Sequence, residues 1–281
     1  MQIRGELARV LVAVKASPQP SAKYGDTVCV AGIRIDGGRA EWIRLYPVPF
    51  RWIGGEQQFR KYDVIDVDIR RASGDSRPES FKPDIETIKV VGHLDDWKAR
   101  QPIFERLPRT TTCALSSAAT ERHDAPSLGM VAVRELIRIE FEDHPGWTDT
   151  EKAKIAASVE RSQLSLFADP ASTPPQLKAP RFKVRYRYRC DDAMCPSHGG
   201  QILDRELTAL QNRQHVPDEQ LKTSIETRFV QQMFSADRQT SFFMGNFEDP
   251  RKRHGFSVLG IHYPPGSVAS SVGLFDLDVN D

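Results

Sequence analysis

The sequence predicts a β-rich α+β chain: small barrels or sandwiches with peripheral helices, arranged as two domains joined by a proline-rich linker. Three observations predict it. Short β-branched runs recur through the first half, separated by Gly and Pro. A segment holding Pro170, Pro174, Pro175 and Pro180 then interrupts regular structure. Beyond it, an alternating strand and two helical patterns open a second unit. The 281 residues are enough for one large domain or two ordinary ones. The expected division is a β-rich domain over 1–147, a helix and linker over 148–180, and an α+β domain over 181–281.

Element by element, "ELARVLVAVKA" is apolar and β-branched, which makes it a strand rather than a signal peptide: Glu6 precedes the run and Lys15 lies within its end. "DTVCVAGIRI" and "RAEWIRLYPV" flank Asp36-Gly37-Gly38, the signature of a hairpin. "YDVIDVDIRRA" and "IETIKVVGHL" add two strands. "DDWKARQPIFERL" predicts a helix weakened at Pro102. "SLGMVAVRELIRIEF" returns to strand. Thr148 and Glu151 form a capping-box pattern that starts a helix, with Ile155 and Val159 on one face. Leu221, Ile225, Phe229 and Met233 recur every four residues and predict the buried stripe of a later helix. "SFFMGNF" and "GFSVLGIHYPP" read as the last strands.

Composition excludes several classes. Hydrophobic residues make up 39% and charged residues 27%, a balance that can bury a core. The net charge of +1 provides no global field, so any nucleic-acid surface must be local. No apolar run approaches membrane-spanning length. The four cysteines do not make a secreted disulfide framework, and the expected location is the cytoplasm.

Residues Gln163, Leu164, Ser165, Leu166 and Phe167 stand at the edge of the linker. In order and identity they resemble the linear motif by which bacterial replication and repair proteins dock on the ring-shaped DNA sliding clamp. The resemblance implies that Leu166 and Phe167 fill an apolar pocket, Leu164 covers its rim, and Gln163 fixes orientation by hydrogen bonding. Burying each large apolar side chain contributes roughly 1.5–3 kcal/mol. The alternative is that the pentapeptide packs on its own domain.

"RFKVRYRYRC" alternates without error. Arg181, Lys183, Arg185, Arg187 and Arg189 share one face of a strand, opposite Phe182, Val184, Tyr186, Tyr188 and Cys190. Cations two residues apart suit contacts to a phosphate backbone. They equally suit pairing with acids on a neighbouring strand. Immediately after come Cys190, Cys195 and His198, three candidate ligands for tetrahedral zinc (Zn2+). The fourth ligand is open among Cys29, Cys113, His215 and a carboxylate such as Asp191. Trp42, Trp52 and Phe59 are candidates for base stacking or for the core.

The chain as a whole resembles a bacterial family described as containing two OB-type barrels. "VCVAGI" and "WIRLYP" carry the resemblance in the first half; the Cys-Cys-His turn, "FFMGN" and "LGIHYPP" carry it in the second. It implies small OB-like barrels, a fold that often binds single-stranded nucleic acid or oligosaccharide. The functional expectation is a nucleic-acid-associated accessory protein that docks on the clamp and contacts single- or double-stranded DNA. Two alternatives stand beside it: a metal-dependent nuclease or anti-phage effector built around the Cys-Cys-His turn, with Glu206 as a base, and a protein-interaction module without nucleic-acid contact.

Overall fold

The computed structural model describes residues 5–21, 25–50, 53, 57–163 and 177–268. Seven strands form the first sheet: β1 (Glu6–Lys15), β2 (Gln19–Ser21), β3 (Gly25–Arg34), β4 (Glu41–Val48), β5 (Asp63–Arg71), β6 (Ser80–Pro83) and β7 (Lys89–His93). Five of them close into a ring. β1 pairs β3, β3 pairs β4, β4 pairs β6, β6 pairs β5, and β5 returns to β1. Only the β4–β6 pair is parallel. This is a five-stranded Greek-key barrel of OB type. β2 and β7 lie outside the ring, on β3 and β5.

Alternation along the strands fills the barrel. Val10, Val12, Val30, Leu45, Ile65 and Val67 point inward and form one core. The unbroken apolar run of β1 has a separate cause. Its other face, with Leu11 and Ala13, packs with Ala31 and Ile33 against Phe104, Leu128, Phe243 and Leu259. A strand covered on both faces reads as continuously hydrophobic rather than alternating. The turn after β3 contains Gly38 at φ 74°, the left-handed conformation that Gly adopts without a steric cost.

Two helices follow: α1 (Trp97–Glu105), capped by Asp96, and α2 (Thr112–Glu121), capped by Thr111. The second sheet comprises β8 (Leu128–Asp143), β9 (Phe182–Cys190), β10 (His198–Gln201), β11 (Ser241–Asn246) and β12 (Phe256–His262). β9 joins β8 to β10, and β11 joins β8 to β12. A parallel bridge from Ile202 to Val258 closes the ring. Its strand order and its single parallel contact repeat those of the first barrel. β8 therefore neighbours β9 in one sheet, and a division after residue 147 falls between paired strands.

Helix α3 (Asp149–Gln163) starts as the capping box requires. Thr148 N donates to Glu151 Oε2 at 2.8 Å, and Glu151 N donates to Thr148 Oγ1 at 3.3 Å. The helix packs on β2 and β3 and buries Ile155. Leu164–Phe167, the rest of the clamp-like motif, lie outside the described residues, as does 168–176 of the linker. Leu177 is buried, and its carbonyl accepts from Trp147 Nε1 at 3.0 Å.

After β10 come α4 (Arg205–Arg213) and α5 (Asp218–Glu226), which widens into a π-helical turn over Thr227–Gln232. Leu221, Ile225, Phe229 and Met233 are all buried, as their spacing predicts. A four-residue repeat drifts around an ideal α-helix, and the wider turn keeps Phe229 and Met233 on the core side. The Phe229 carbonyl accepts from the buried Tyr186 hydroxyl at 2.5 Å. The barrels are also joined directly where Ser17 N donates to Leu203 O at 2.7 Å. Among the described residues, no helix is long and apolar enough to cross a membrane.

Candidate functional site

Cys113, Cys190, Cys195 and His198 converge at one end of the second barrel, their ligand atoms all within 4.8 Å of one another. Cys190 ends β9 on its buried face, and His198 begins β10. Between them the chain reverses through Ser197 at φ 146°, a conformation L-residues rarely adopt. Cys113 arrives from the first turn of α2. Of the four candidates for the fourth ligand, Cys113 is the one at this cluster.

The spacing is close to that of a tetrahedral ion, and tighter between Cys113 and His198. Cys113 Sγ lies 3.7 Å from Cys190 Sγ and 3.2 Å from His198 Nε2; Cys190 Sγ lies 3.6 Å from His198 Nε2. A tetrahedron with Zn–S near 2.3 Å and Zn–N near 2.0–2.1 Å has edges of roughly 3.5–3.8 Å. The titration pattern agrees. Burial pushes the Cys113 thiol up to about 12, helped by hydrogen bonds and charge from Cys190 and Cys195. Burial also raises Cys190, but backbone hydrogen bonds from Cys113 and Asp192 and the thiols beside it bring it below its ordinary value. Three adjacent thiols cannot all ionise unless a cation joins them. Burial lowers His198 and keeps it neutral, the form that ligates. Four side chains could fill the four positions of a tetrahedron, the donor set of a closed site.

The basic face of β9 is equally well defined. Phe182, Val184, Tyr186, Tyr188 and Cys190 are buried, and the basic residues alternate with them outside. β8 supplies acids alongside. Lys183 meets Glu142 at 3.1 Å, Arg187 meets Glu140 at 3.2 Å, and Arg189 meets Glu135. Arg181 pairs with Asp218. Arg185 alone carries no ion pair among the described residues. Most of the stripe is a ladder of ion pairs rather than free positive charge.

A second cationic surface has no counterpart in the sequence reading. A cleft of about 660 Å³ lies between the barrels. The first unit lines it with Lys15, Arg60, Lys61 and Arg100, and the second with Arg205, Arg213 and Arg228. Asp204 and Glu206 are the two carboxylates on its wall. Aromatic rings hold many of the cations. Lys15 Nζ sits 4.2 Å from the Phe50 centroid, and Arg205 lies 4.4 Å from the same ring on its guanidinium carbon. Arg100 lies 3.7 Å from the Tyr62 centroid. Glu206 meets Arg228 at 3.0 Å and Lys61 at 3.9 Å. Burial, then the charge of Arg205, pushes Lys15 down to about 8. Burial pushes the Asp204 carboxyl up to about 6, against the pull of Lys61. An aromatic face orients a cation without cancelling its charge, as at Lys15 and Arg100, whereas Arg60 pairs with Asp63 at 3.4 Å and Lys61 and Arg228 share Glu206.

Of the stacking candidates, Phe59 is buried in the first barrel, Trp42 packs edge-on to Phe243 at 5.7 Å, and Trp52 is outside the described residues.

Residues 108–278 match the family model described as "Domain of unknown function (DUF8757)", and residues 6–106 match that described as "Domain of unknown function (DUF8758)". The two matches meet between α1 and α2. No curated protein matches the chain. Similar solved structures include the p204 HINb domain, at 9% identity over 94% of this chain and 100% of that one, with a TM-score of 0.32. A Replication Protein A heterotrimer bound to ssDNA is similar at 9% identity over 98% of this chain and 53% of that one, TM-score 0.34. The Ifi202 HINa domain in complex with 20bp dsDNA is similar at 7% identity over 94% and 98%, TM-score 0.31.

Proposed function

We propose that this chain, which belongs to the family described as "Domain of unknown function (DUF8757)", is a binding protein for nucleic acid. The phosphate backbone lies across the cationic cleft between its two barrels. The observation that carries this reading is the charge of the cleft: seven cationic side chains face two carboxylates. Cations drawn from β1, the β4–β5 connection, α1, α4 and the π-helical turn converge on one channel, as a polyanion requires.

Zinc is the ion that suits the Cys113, Cys190, Cys195 and His198 set. It would tie α2 to the β9–β10 turn and so fix the strand from which α4 and the cleft follow. A closed Cys3His site supplies folding energy and no reactive position. This favours a binding role over the nuclease alternative. The finer part of the proposal is recruitment: Gln163–Phe167 would dock on the bacterial DNA sliding clamp, leaving the two barrels to hold adjacent DNA. Five residues matching the motif in order, beside a proline-rich segment, support it.

Fluorescence anisotropy with labelled single- and double-stranded oligonucleotides tests the central claim. Binding should tolerate any sequence and weaken with salt, with a log–log slope of about −0.9 per duplex phosphate contacted and about −0.7 on single strands. Absence of binding at low salt rejects it. For the clamp, a peptide spanning 158–172 should bind purified clamp, and Leu166→Ala with Phe167→Ala should abolish this. Undiminished binding by that variant rejects docking while leaving the cleft reading intact.

A further inference from the structure

The last described residue, Val268, is buried, and its N donates to the Pro265 carbonyl at 2.9 Å. Gly266 N donates to the Asp237 carbonyl at 2.7 Å, and Arg238 Nη1 donates to the Tyr263 carbonyl at 3.4 Å. The chain is therefore held in place up to the point where 269–281 leaves it. Tyr263 also lines a groove of about 510 Å³, together with Leu210 of α4, Thr223 and Ser224 of α5, and Arg228 and Gln232 of the π-helical turn. Leu210 and Tyr263 are its partly exposed apolar surface.

This groove runs into the cationic cleft: Leu210 and Arg228 line both. Arg213 lies three residues beyond Leu210 on α4 and lines the cleft. Helix residues at that spacing have Cβ atoms about 5–6 Å apart. Arg228 is already answered by Glu206 at 3.0 Å. Arg213 is exposed, and neither it nor Lys15 makes an ion pair among the described residues. The junction of groove and cleft thus places an apolar surface one helical turn from unanswered positive charge.

Residues 269–281 lie outside the described residues, and their chemistry complements this junction. They read "ASSVGLFDLDVND": Leu274, Phe275 and Leu277 interleave with Asp276 and Asp278, Asp281 follows, and there is no Lys or Arg. The family match runs through residue 278, so this apolar and acidic stretch belongs to the matched unit. At roughly 3.3–3.6 Å per residue, 269–281 can extend about 45 Å, whereas Tyr263 lies at most about 18 Å of chain from Val268. The groove is within its reach.

We infer that 269–281 docks back on this face, with Leu274 and Phe275 against Leu210 and Tyr263 and with Asp276 and Asp278 toward Arg213 and Lys15. Docked there, it competes with a phosphate backbone for the cleft. That consequence rests on the nucleic-acid reading; the contact itself does not. A tethered segment has an effective concentration on the order of millimolar, so a weak contact is enough to compete.

Two measurements on the full chain test the inference. With Phe275→p-benzoylphenylalanine, irradiation followed by mass-spectrometric mapping should place the cross-link within one chain, on the groove residues Leu210, Thr223, Gln232 or Tyr263. Adding Asp276→Asn, Asp278→Asn and Asp281→Asn should lower its yield at least threefold. In anisotropy titrations at low salt, Leu274→Ala with Phe275→Ala changes no charge and should raise nucleic-acid affinity at least threefold, as should the three Asn substitutions. A cross-link on another face, or between two copies of the chain, overturns docking. Unaltered affinity in the Leu274/Phe275 variant overturns competition, since a gain confined to the Asn variant is an effect of net charge alone. If neither wild type nor variants bind nucleic acid, the proposed function fails, and the position of the cross-link decides the docking by itself.

Discussion

The face of β9 and the cleft between the barrels are both built from arginine and lysine, and they differ in what answers the charge. On β9, the strand beside each cation is β8, and β8 carries Glu135, Glu140 and Glu142 on the same face. Lys183 lies opposite Glu142 and Arg189 opposite Glu135, and Arg187 reaches Glu140 on the diagonal, so the pairs form and the field cancels locally. In the cleft, Glu206 answers Lys61 and Arg228 and Asp63 answers Arg60, but Phe50 and Tyr62 lie under Lys15 and Arg100. A ring fixes a cation by its quadrupole and leaves the charge available to a ligand. The regular alternation of a strand makes positive charge conspicuous in a sequence. Whether that charge is usable depends on the neighbouring strand, which the sequence does not display.

The most direct way to break this comparison is to reverse charge in the cleft. Arg213→Glu should lower nucleic-acid affinity about tenfold at 50 mM salt and make the salt slope shallower by about one. Arg213 is exposed, so the fold should survive. Anisotropy titrations across salt read both quantities. Full retention of affinity would remove the cleft as the binding surface and return attention to β9.

Metal removal should act next, through stability rather than charge. Cys195→Ser or prolonged chelation should lower the melting temperature by on the order of 10 °C, since the ion's binding energy is folding energy for the β9–β10 turn. Elemental analysis of wild type should give zinc near one per chain. A metal-free wild type with unchanged melting would show that the four side chains pack without an ion. Because α4 begins four residues beyond the end of β10, chelation should also weaken binding in the cleft.

What the sequence revealed and what it concealed follow from range. β1, the β3–β4 hairpin and the stripe Leu221–Met233 were legible because their signals are local and periodic. The β-rich, barrel-like class was legible for the same reason. Helix α2 was not, because "TCALSSAATE" is rich in small residues and has no strong apolar stripe. With it went the position of Cys113, which lies 77 residues before Cys190 and could only be named as one candidate among several. The β8–β9 pairing spans α3 and the proline-rich segment, so the acids that answer the basic stripe were unreadable from β9 alone. The cleft is the extreme case: its cations run from Lys15 to Arg228, and no spacing rule connects them.

Proton activity sharpens the comparison with a smaller effect. The Asp204 carboxyl, raised to about 6, is neutral below that pH and adds a negative charge to the cleft above it. Lys15, lowered to about 8, loses its positive charge as pH rises through that value. Both changes disfavour a polyanion, so affinity should fall a few-fold as pH rises through 6 and again through 8 at constant salt. Asp204→Asn should remove the first step alone, and Lys15→Gln the second. Affinity that rises with pH, or a profile unchanged in both variants, would separate these groups from the bound phosphates.

The smallest effect belongs to the ladder. Arg187 and Arg189 are 43% and 38% exposed, and their partners Glu140 and Glu135 are 28% and 51% exposed. Ion pairs with this much water contact contribute about 0–1 kcal/mol each. Arg187→Gln with Arg189→Gln should therefore move the melting temperature by no more than a few degrees. It should change nucleic-acid affinity less than twofold, because it removes charge that Glu140 and Glu135 already offset. The same two sites changed to Glu would place like charges opposite those acids and cost more stability, so the neutral Gln variant is the cleaner probe. Arg185 is the internal control, as the one ladder cation without an ion pair among the described residues. If Arg185→Gln lowers affinity while the double variant does not, binding extends from the cleft to that single position. If the double variant itself loses affinity tenfold or more, pairing does not silence the stripe, and the distinction between ring-held and acid-paired cations fails.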